Sequence, residues 1–134
     1  MIVDTGKTNL LAVKTNGLAA YVFGLFTNNV AITSATIMSN LTPAVFSGYA
    51  PVVAGTWSPA SMVSGVAQSS PTVNPVFNNN SSTPQTFYGW YLATPDGLTL
   101  IAAVNIGQAV VPPGSSFVLT PTITDTDASQ VSGS

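Results

Sequence analysis

Proline and glycine interrupt this chain throughout its length, and this limits the possible fold more than any other feature of the sequence. Ten prolines and eleven glycines are spread over 134 residues. They separate short runs of β-branched and aromatic residues at intervals of roughly ten positions, which is typical of all-β proteins. The sequence therefore predicts an all-β fold, a two-sheet antiparallel β-sandwich with a jelly-roll-like topology as one form of it.

The clearest predicted element is a β-hairpin in the second half of the chain. Gln85 to Ala93 reads as an aromatic strand, and Leu98 to Ile106 reads as its return strand. Between them, Thr94-Pro95-Asp96-Gly97 has Pro at the second and Gly at the fourth position of a type I turn. Alternation predicts one core-facing set on the return strand: Leu98, Leu100, Ala102, Val104 and Ile106.

The remaining elements are predicted from shorter patterns. Ala19 to Asn28 is apolar on both faces, so we expect it to be a central strand. Further strands are predicted at Thr36–Met38, at Val52–Trp57, at Met62–Gln68 paired with Thr72–Phe77, and at 117–126 with Phe117, Leu119 and Ile123 buried. Loops are predicted at Pro43–Tyr49, held by two aromatic residues, and at Asn78–Pro84, which is expected to be solvated.

The length predicts a single domain with two flanking segments. Residues 1–17 mix apolar and polar residues without a sustained period and are predicted to form an extended N-terminal arm. Residues 18–127 are predicted to form the β-sandwich, and residues 128–134 a polar C-terminal tail.

The composition excludes most classes of enzyme. Only 4% of the residues are charged, as two lysines and four aspartates, and there is no histidine or cysteine. A histidine-activated nucleophile and a zinc site therefore lack their usual side chains, and two lysines are too few for a nucleic-acid surface. We expect no enzyme activity, no cofactor and no nucleic-acid partner. The longest apolar stretch is about half the length of a membrane span, so we expect no membrane partner.

Two short motifs resemble functional signatures without the context that those signatures need. Ile2-Val3-Asp4-Thr5-Gly6 is similar to the aspartic protease signature, but it begins too close to the start for a preceding strand, so we interpret it as part of the arm. Asp125-Thr126-Asp127 offers two carboxylates to Ca²⁺. We interpret them as solvated residues at the end of a strand.

Aromatic residues allow a second interpretation, a platform on which sugar rings stack. The residues concerned are Tyr21, Tyr49, Trp57, Tyr88, Trp90 and Tyr91. A small β-sandwich also needs aromatic residues to fill its core. Flat, open faces at Trp57, Trp90 and Tyr91 would favour sugar binding, and burial would favour packing.

Three stretches of the chain together resemble a group of small structural proteins of tailed bacteriophages. They are Leu25-Phe26-Thr27-Asn28-Asn29, Phe46-Ser47-Gly48-Tyr49, and Phe87-Tyr88-Gly89-Trp90-Tyr91 followed by Pro95-Asp96-Gly97 and Leu98-Thr99-Leu100. The resemblance covers about residues 19 to 126. It implies a capsid decoration, or cement, protein on the outer surface of the virion, with a tail or fibre component as the alternative.

The expected partners follow from this resemblance and from the nearly uncharged composition. Because the chain has few charges to oppose self-association by repulsion, we expect a homo-oligomer. The resemblance favours a trimer that binds the major capsid protein. A carbohydrate-binding, adhesin-like β-sandwich is the alternative from another class. The candidate interface residues are Ile2, Val3, Leu10, Leu11, Val13, Trp57 and Trp90.

Overall fold

The computed structural model describes residues 19–57, 61–63 and 66–124, and this part of the chain is all-β. The strands are β1 (Val22–Phe26), β2 (Val52–Val53), β3 (Ser61–Val63), β4 (Val66–Ser69), β5 (Val76–Asn78), β6 (Gln85–Ala93), β7 (Leu100–Val111), β8 (Ser116–Val118) and β9 (Ile123–Thr124). One 3₁₀ turn spans Met38–Asn40. The described strand pairs are antiparallel, which confirms the predicted fold class.

The largest sheet has the strand order β2-β1-β6-β7. β1 lies between β2 and β6, as its two apolar faces predict, with Leu25 opposite Trp90 and Phe26 opposite Gly89. The β6–β7 hairpin is closed by the predicted turn, where the Gly97 N–H donates to the Thr94 carbonyl at 2.8 Å. Gly97 has φ +74°, a conformation that glycine adopts without strain.

Two smaller sheets complete the fold. β3, β4 and β9 form a three-stranded sheet, and β5 and β8 form a two-stranded ribbon. In the ribbon Phe77 lies opposite Phe117, while the next pair along it is Val76 and Val118. Because side chains alternate across a strand, the phenylalanines and the valines lie on opposite faces of the ribbon.

One face of the four-stranded sheet packs against the inner face of the ribbon. Phe23, Leu25 and Leu92 from the sheet are fully buried in the same cluster as Phe77 from the ribbon. The rings of Phe87 and Phe117 lie 4.8 Å apart and join the two layers directly. This cluster is the main core, with a sheet on each side.

The other face of the four-stranded sheet is covered by the loop that follows β1. Phe26, Tyr91 and Leu100 are buried there, with Val30, Ile32 and Met38 of the loop packed against them. Asn105 fastens the loop, since its Nδ2 donates to the Val30 carbonyl at 2.8 Å. β1 and β6 are therefore buried on both faces.

On this second face, two glycines leave space for aromatic rings of the neighbouring strand. Gly24 is paired with Tyr91 and Gly89 with Phe26. A Cβ atom at Gly24 would lie under 3.0 Å from the Tyr91 ring, and one at Gly89 would lie under 3.0 Å from both the Phe26 ring and the Val104 carbonyl oxygen. A larger residue at Gly24 would have to displace the Tyr91 ring, and one at Gly89 would have to displace backbone as well.

The prediction that the loop at 78–84 is solvated is wrong for its second residue, Asn79. Asn79 is fully buried. Its Nδ2 donates to the carbonyls of Val111 at 2.8 Å and Thr83 at 3.0 Å, and its Oδ1 accepts from the Ser81 N–H at 3.0 Å. These hydrogen bonds satisfy the polar atoms of the buried amide, as burial of a polar side chain requires.

Several predicted strands differ from the structure. Residues 36–38 lead into the 3₁₀ turn and form no strand. β3 pairs with β4 and β5 pairs with β8, so the predicted pairing of 62–68 with 72–77 is wrong. The predicted strand at 117–126 is divided between β8 and β9, which belong to different sheets.

The return strand of the hairpin also departs from simple alternation. Leu98 is in the turn and Ile106 lies at a register shift, and both are exposed. A second register shift lies between Leu92 and Ala93 on β6. As a result Ala102 packs in the main core, whereas Leu100 packs on the other face of the sheet. The arm at 1–17 and the tail at 128–134 lie outside the described residues, and both stay predictions.

Candidate interface surfaces

The candidate interface residues of the N-terminal arm lie outside the described part of the chain. They are Ile2, Val3, Leu10, Leu11 and Val13. Their proposed role in contacts stays a prediction.

Trp90 belongs to the core and not to the surface. Its side chain is 7% exposed and packs edge-on against Phe23, with ring centroids 5.7 Å apart. Its neighbour in sequence, Tyr91, is 4% exposed. Burial removes the open faces that sugar stacking needs, so packing explains both residues, and Trp90 is withdrawn as a surface candidate.

Trp57 is half-buried beside the same phenylalanine. Its ring lies 5.9 Å from that of Phe23, and its backbone forms an isolated bridge with Pro71. Among the described residues, no group accepts a hydrogen bond from its buried Nε1. Trp57 therefore stays the one sequence-predicted candidate whose side chain lies partly at the described surface.

The surface of the folded body is almost free of charge. Asp96 is the only charged residue between Lys14 and Asp125. It lies in the β6–β7 turn, where its Oδ1 accepts hydrogen bonds from the Thr94 hydroxyl at 2.6 Å and the Leu98 N–H at 3.0 Å. These bonds, the Thr94 bond first, lower the pKa of Asp96 below its ordinary value, so the carboxylate is ionised at neutral pH.

Large apolar side chains lie open on this uncharged surface. Among the residues whose burial the structure describes, the exposed ones are Ile37, Val45, Val53, Val73, Val76, Leu98, Ile106, Val110 and Val118. Val76 and Val118 form a cross-strand pair on the outer face of the β5–β8 ribbon. Val45 is the most open of all, with 91% of its side chain exposed.

Val45 lies at the rim of a depression of about 450 Å³, which we call the Tyr49 groove. The residues that line it are Pro43, Ala44, Val45, Phe46, Ser47, Tyr49, Pro51 and Tyr91. Most of these side chains are apolar, and none carries a charge. The only side-chain polar groups in the lining are hydroxyls.

The backbone of this region is held against the edge of β1. The Thr27 N–H donates to the Thr42 carbonyl at 2.8 Å, and the Ala44 N–H donates to the Leu25 carbonyl at 2.9 Å. Fixing Ala44 in this way turns the next side chain, Val45, to solvent. The following turn closes with a bond from the Tyr49 N–H to the Phe46 carbonyl at 3.0 Å.

Tyr49 lines the groove and connects it to the core. Its ring stacks on Phe77 at 5.7 Å and meets Phe46 edge-on at 5.2 Å. Its hydroxyl oxygen accepts a hydrogen bond of 3.0 Å from the Leu25 N–H. This bond satisfies a backbone donor at a point where β1 has no paired strand on that side, because β2 ends opposite Val22 and Phe23.

The hydroxyl of Tyr91 meets that of Tyr49 beneath the groove. Burial raises the pKa of both tyrosines, and the hydrogen bond between the hydroxyls lowers the pKa of Tyr49 while it raises that of Tyr91. Both hydroxyls are therefore neutral at physiological pH.

The side chains that line the groove are apolar or carry hydroxyls, and they include no set of reactive groups. In the ranges 19–57, 61–63 and 66–124, no three His, Cys, Asp or Glu residues come together as metal ligands. Among the same residues, no helix has the length and apolar character needed to cross a bilayer. The prediction that two aromatic residues hold the 43–49 loop is confirmed, since Phe46 and Tyr49 pack there. The part that Tyr91 plays in lining the groove was not predictable from local sequence, because Tyr91 lies on a distant strand.

Comparison of the chain with protein-family models, with curated proteins and with solved structures finds no match.

Proposed function

We propose that this chain is a non-enzymatic structural protein of a bacteriophage virion, an oligomeric decoration subunit that binds the major capsid protein on the outside of the shell. The observation that carries the proposal is the uncharged folded body, in which Asp96 is the only charged residue between Lys14 and Asp125. The resemblance of three sequence stretches to tailed-phage structural proteins supplies the choice of assembly.

An uncharged surface suits a protein that is covered on several sides. Burying a charge without a partner costs several kcal/mol, whereas a hydroxyl or amide costs much less and is easily paired. The nine large apolar side chains exposed in the described part of the chain add area whose burial is favourable. A subunit that contacts both its own copies and a shell lattice therefore gains from this surface.

A tail or fibre component is the second candidate, because the same surface suits any repeated assembly. The number of copies of this chain per particle distinguishes a decoration subunit from a tail or fibre component. A decoration subunit is present in fixed proportion to the shell protein, and a tail component is present at a far lower copy number.

The proposal is tested on purified particles of the virus that encodes the chain. Quantitative mass spectrometry measures the ratio of this chain to the major shell protein, and thermal release of the genome is compared between complete particles and particles lacking the chain. We expect a fixed lattice ratio and earlier release without the chain. Absence from particles, or a ratio far below that of the shell protein, would overturn the decoration role.

A further inference from the structure

We propose that Asp96-Gly97 in the β6–β7 turn is a site of spontaneous isomerisation to isoaspartate, and that the hydrogen bonds of the turn hold this reaction back in the folded protein. Asp96 is exposed, and it is the one aspartate of the chain that a glycine follows. Glycine has no Cβ atom to shield its backbone nitrogen. An aspartate before glycine therefore isomerises more readily than an aspartate before a larger residue.

The reaction needs no reagent other than water. The backbone nitrogen of Gly97 attacks Cγ of Asp96 and forms a C–N bond. The nitrogen loses its proton and the carboxyl group loses an oxygen, so one water leaves and a five-membered succinimide ring remains. Water then opens the ring at one of its two carbonyl carbons. Opening at Cγ restores aspartate, whereas opening at the main-chain carbonyl carbon leaves the Gly97 nitrogen bonded to Cγ, which is isoaspartate.

The turn engages the attacking nitrogen. The Gly97 N–H donates to the Thr94 carbonyl at 2.8 Å, and this bond closes the turn. To attack Cγ, the nitrogen must give up the proton that it shares with this carbonyl and must leave its position in the turn. Ring closure therefore requires the turn to open first.

The carboxylate is held as firmly as the nitrogen. Oδ1 of Asp96 accepts from the Thr94 hydroxyl at 2.6 Å and from the Leu98 N–H at 3.0 Å. These bonds keep the carboxylate ionised, since they lower the pKa of Asp96. Loss of water requires a proton on the departing oxygen, so the ionised and hydrogen-bonded group is a poor target for attack.

Thr94 joins the two restraints. Its carbonyl accepts from the nitrogen that would attack, and its hydroxyl donates to the carboxylate that would be attacked. The Thr94 hydroxyl also accepts from the Thr99 N–H at 3.2 Å, and the Thr94 N–H donates to the Thr99 carbonyl at 3.0 Å. Thr94 is therefore fixed to the residue that precedes β7, and a change in its hydroxyl affects the reacting pair directly.

Isomerisation would damage the hairpin that suppresses it. Isoaspartate adds one methylene group to the backbone between residues 96 and 97, inside the span that joins the paired residues Ala93 and Leu100. It also removes the side-chain oxygen that accepts from Thr94 and Leu98. A damaged chain therefore closes the turn less well than an intact chain.

The test compares the isomerisation rate of the full wild-type chain in buffer and in guanidinium chloride at one neutral pH and one temperature. Chymotryptic peptides that contain Asp96 are separated by chromatography, and electron-transfer fragmentation distinguishes isoaspartate from aspartate of equal mass. Peptide mapping is needed because Asn16-Gly17 also yields isoaspartate, by loss of ammonia. We expect the rate at Asp96 to be lower in the folded chain by about tenfold or more, because the hydrogen bonds of the turn must break.

Three variants assign the effect to the turn. Thr94→Val removes the hydroxyl and keeps the backbone carbonyl, and we expect the folded variant to isomerise about fivefold faster than the wild type. Thr27→Val is the matched control, because the Thr27 hydroxyl also donates to a backbone carbonyl, that of Thr42 at 3.3 Å, at the far end of β1. It should react at the wild-type rate. Asp96→Glu should give no signal, since glutamate would need a six-membered ring. Thermal melting confirms that each variant is folded.

Equal rates in the folded and the unfolded wild-type chain would overturn the proposal, as would an unfolded chain that forms no isoaspartate at residue 96. A folded Thr94→Val variant that reacts at the wild-type rate would do the same. Equal acceleration by Thr27→Val would show that a general loss of stability sets the rate, which also overturns the role of the turn. The comparison of folded with unfolded wild type needs no variant, so it decides the proposal even if Thr94→Val does not fold.

Discussion

Replacing Gly89 with alanine should destabilise the fold severely, because the obstacle to the new methyl group is backbone. The Cβ atom would lie under 3.0 Å from the Val104 carbonyl oxygen on β7 and from the Phe26 ring on β1. A ring can rotate, but the carbonyl belongs to the paired strand, where Val104 lies opposite Trp90. β6 and β7 must therefore separate locally.

The size of the effect follows from two contributions. Overpacking in a closely packed core costs about 1 to 3 kcal/mol, and weakening a ladder hydrogen bond costs about 1 kcal/mol more. We expect a loss of about 2 to 4 kcal/mol from the free energy of unfolding. For a domain of this size, 1 kcal/mol corresponds to about 4 °C, so the melting temperature should fall by about 8 to 16 °C.

Two other glycines serve as controls that separate steric from conformational cost. At Gly24 the obstacle is the ring of Tyr91, which can move, so Gly24→Ala should cost about 2 kcal/mol. At Gly55 nothing lies within 4 Å of the new atom, and the cost is that of φ +71°, about 1 kcal/mol. The expected order of loss is Gly89, Gly24, Gly55.

Urea and thermal unfolding followed by circular dichroism measure all three variants at one fixed protein concentration, because an oligomer melts at a temperature that depends on concentration. A Gly89→Ala variant that melts within about 3 °C of the wild type would refute the reasoning. A larger loss at Gly55 than at Gly89 would do the same, since backbone conformation and not collision would then dominate.

Further changes test other parts of the structure. Gly97→Val should cost about 1 to 3 kcal/mol in urea unfolding because Gly97 has φ +74°, and an unchanged midpoint would contradict the turn. Asn79→Ala should cost about 1 to 3 kcal/mol by the same assay because it removes the hydrogen bonds of a buried amide to the Val111 carbonyl and the Ser81 N–H. Above pH 10 the free energy of unfolding should fall, since burial raises the pKa of Tyr91 above its ordinary value of 10.0 and the unfolded chain ionises first; a Tyr91→Phe variant should lose less stability over that range. Deleting residues 1–13 should reduce occupancy on particles more than about 0.5 M salt does, because apolar contacts survive screening; the opposite ranking would remove the arm from the attachment mechanism.

The hairpin was predictable because its information is local. Thr94-Pro95-Asp96-Gly97 contains both the turn residues and their spacing, and the flanking strands need only each other to pair. The central position of β1 was predictable for a related reason, since a strand that is apolar on both faces needs cover on both sides.

Pairing between distant segments was not predictable in this way. β5 and β8 are short, and nothing in either one specifies the other as its partner. Residues 117–126 alternate in one continuous pattern, although the structure divides them between two sheets. Period-2 alternation shows which side chains share a face and does not show which sheet that face belongs to.

The candidate site also combines local features, which the sequence predicts, with contacts between distant segments, which it does not. The aromatic residues of the 43–49 loop were visible in the sequence as residues that hold a loop in place. Tyr91, which completes the lining of the groove, comes from a distant strand, where its ring lies over Gly24 and its hydroxyl contacts that of Tyr49. The burial of Asn79 was hidden for a similar reason, because its carbonyl partner Val111 lies on a strand far along the chain.

The order β2-β1-β6-β7 also determines how the chain can fold while it is being synthesised. β1 is complete at Phe26, but its long partner β6 ends only at Ala93. At about 5 to 20 residues per second, the ribosome needs roughly 3 to 13 s to make the intervening stretch. During that time the apolar face of β1 has only the two-residue strand β2 to pair with. A nascent chain of this protein therefore exposes an apolar strand for seconds, and the β6–β7 hairpin ends that exposure by providing the missing strand.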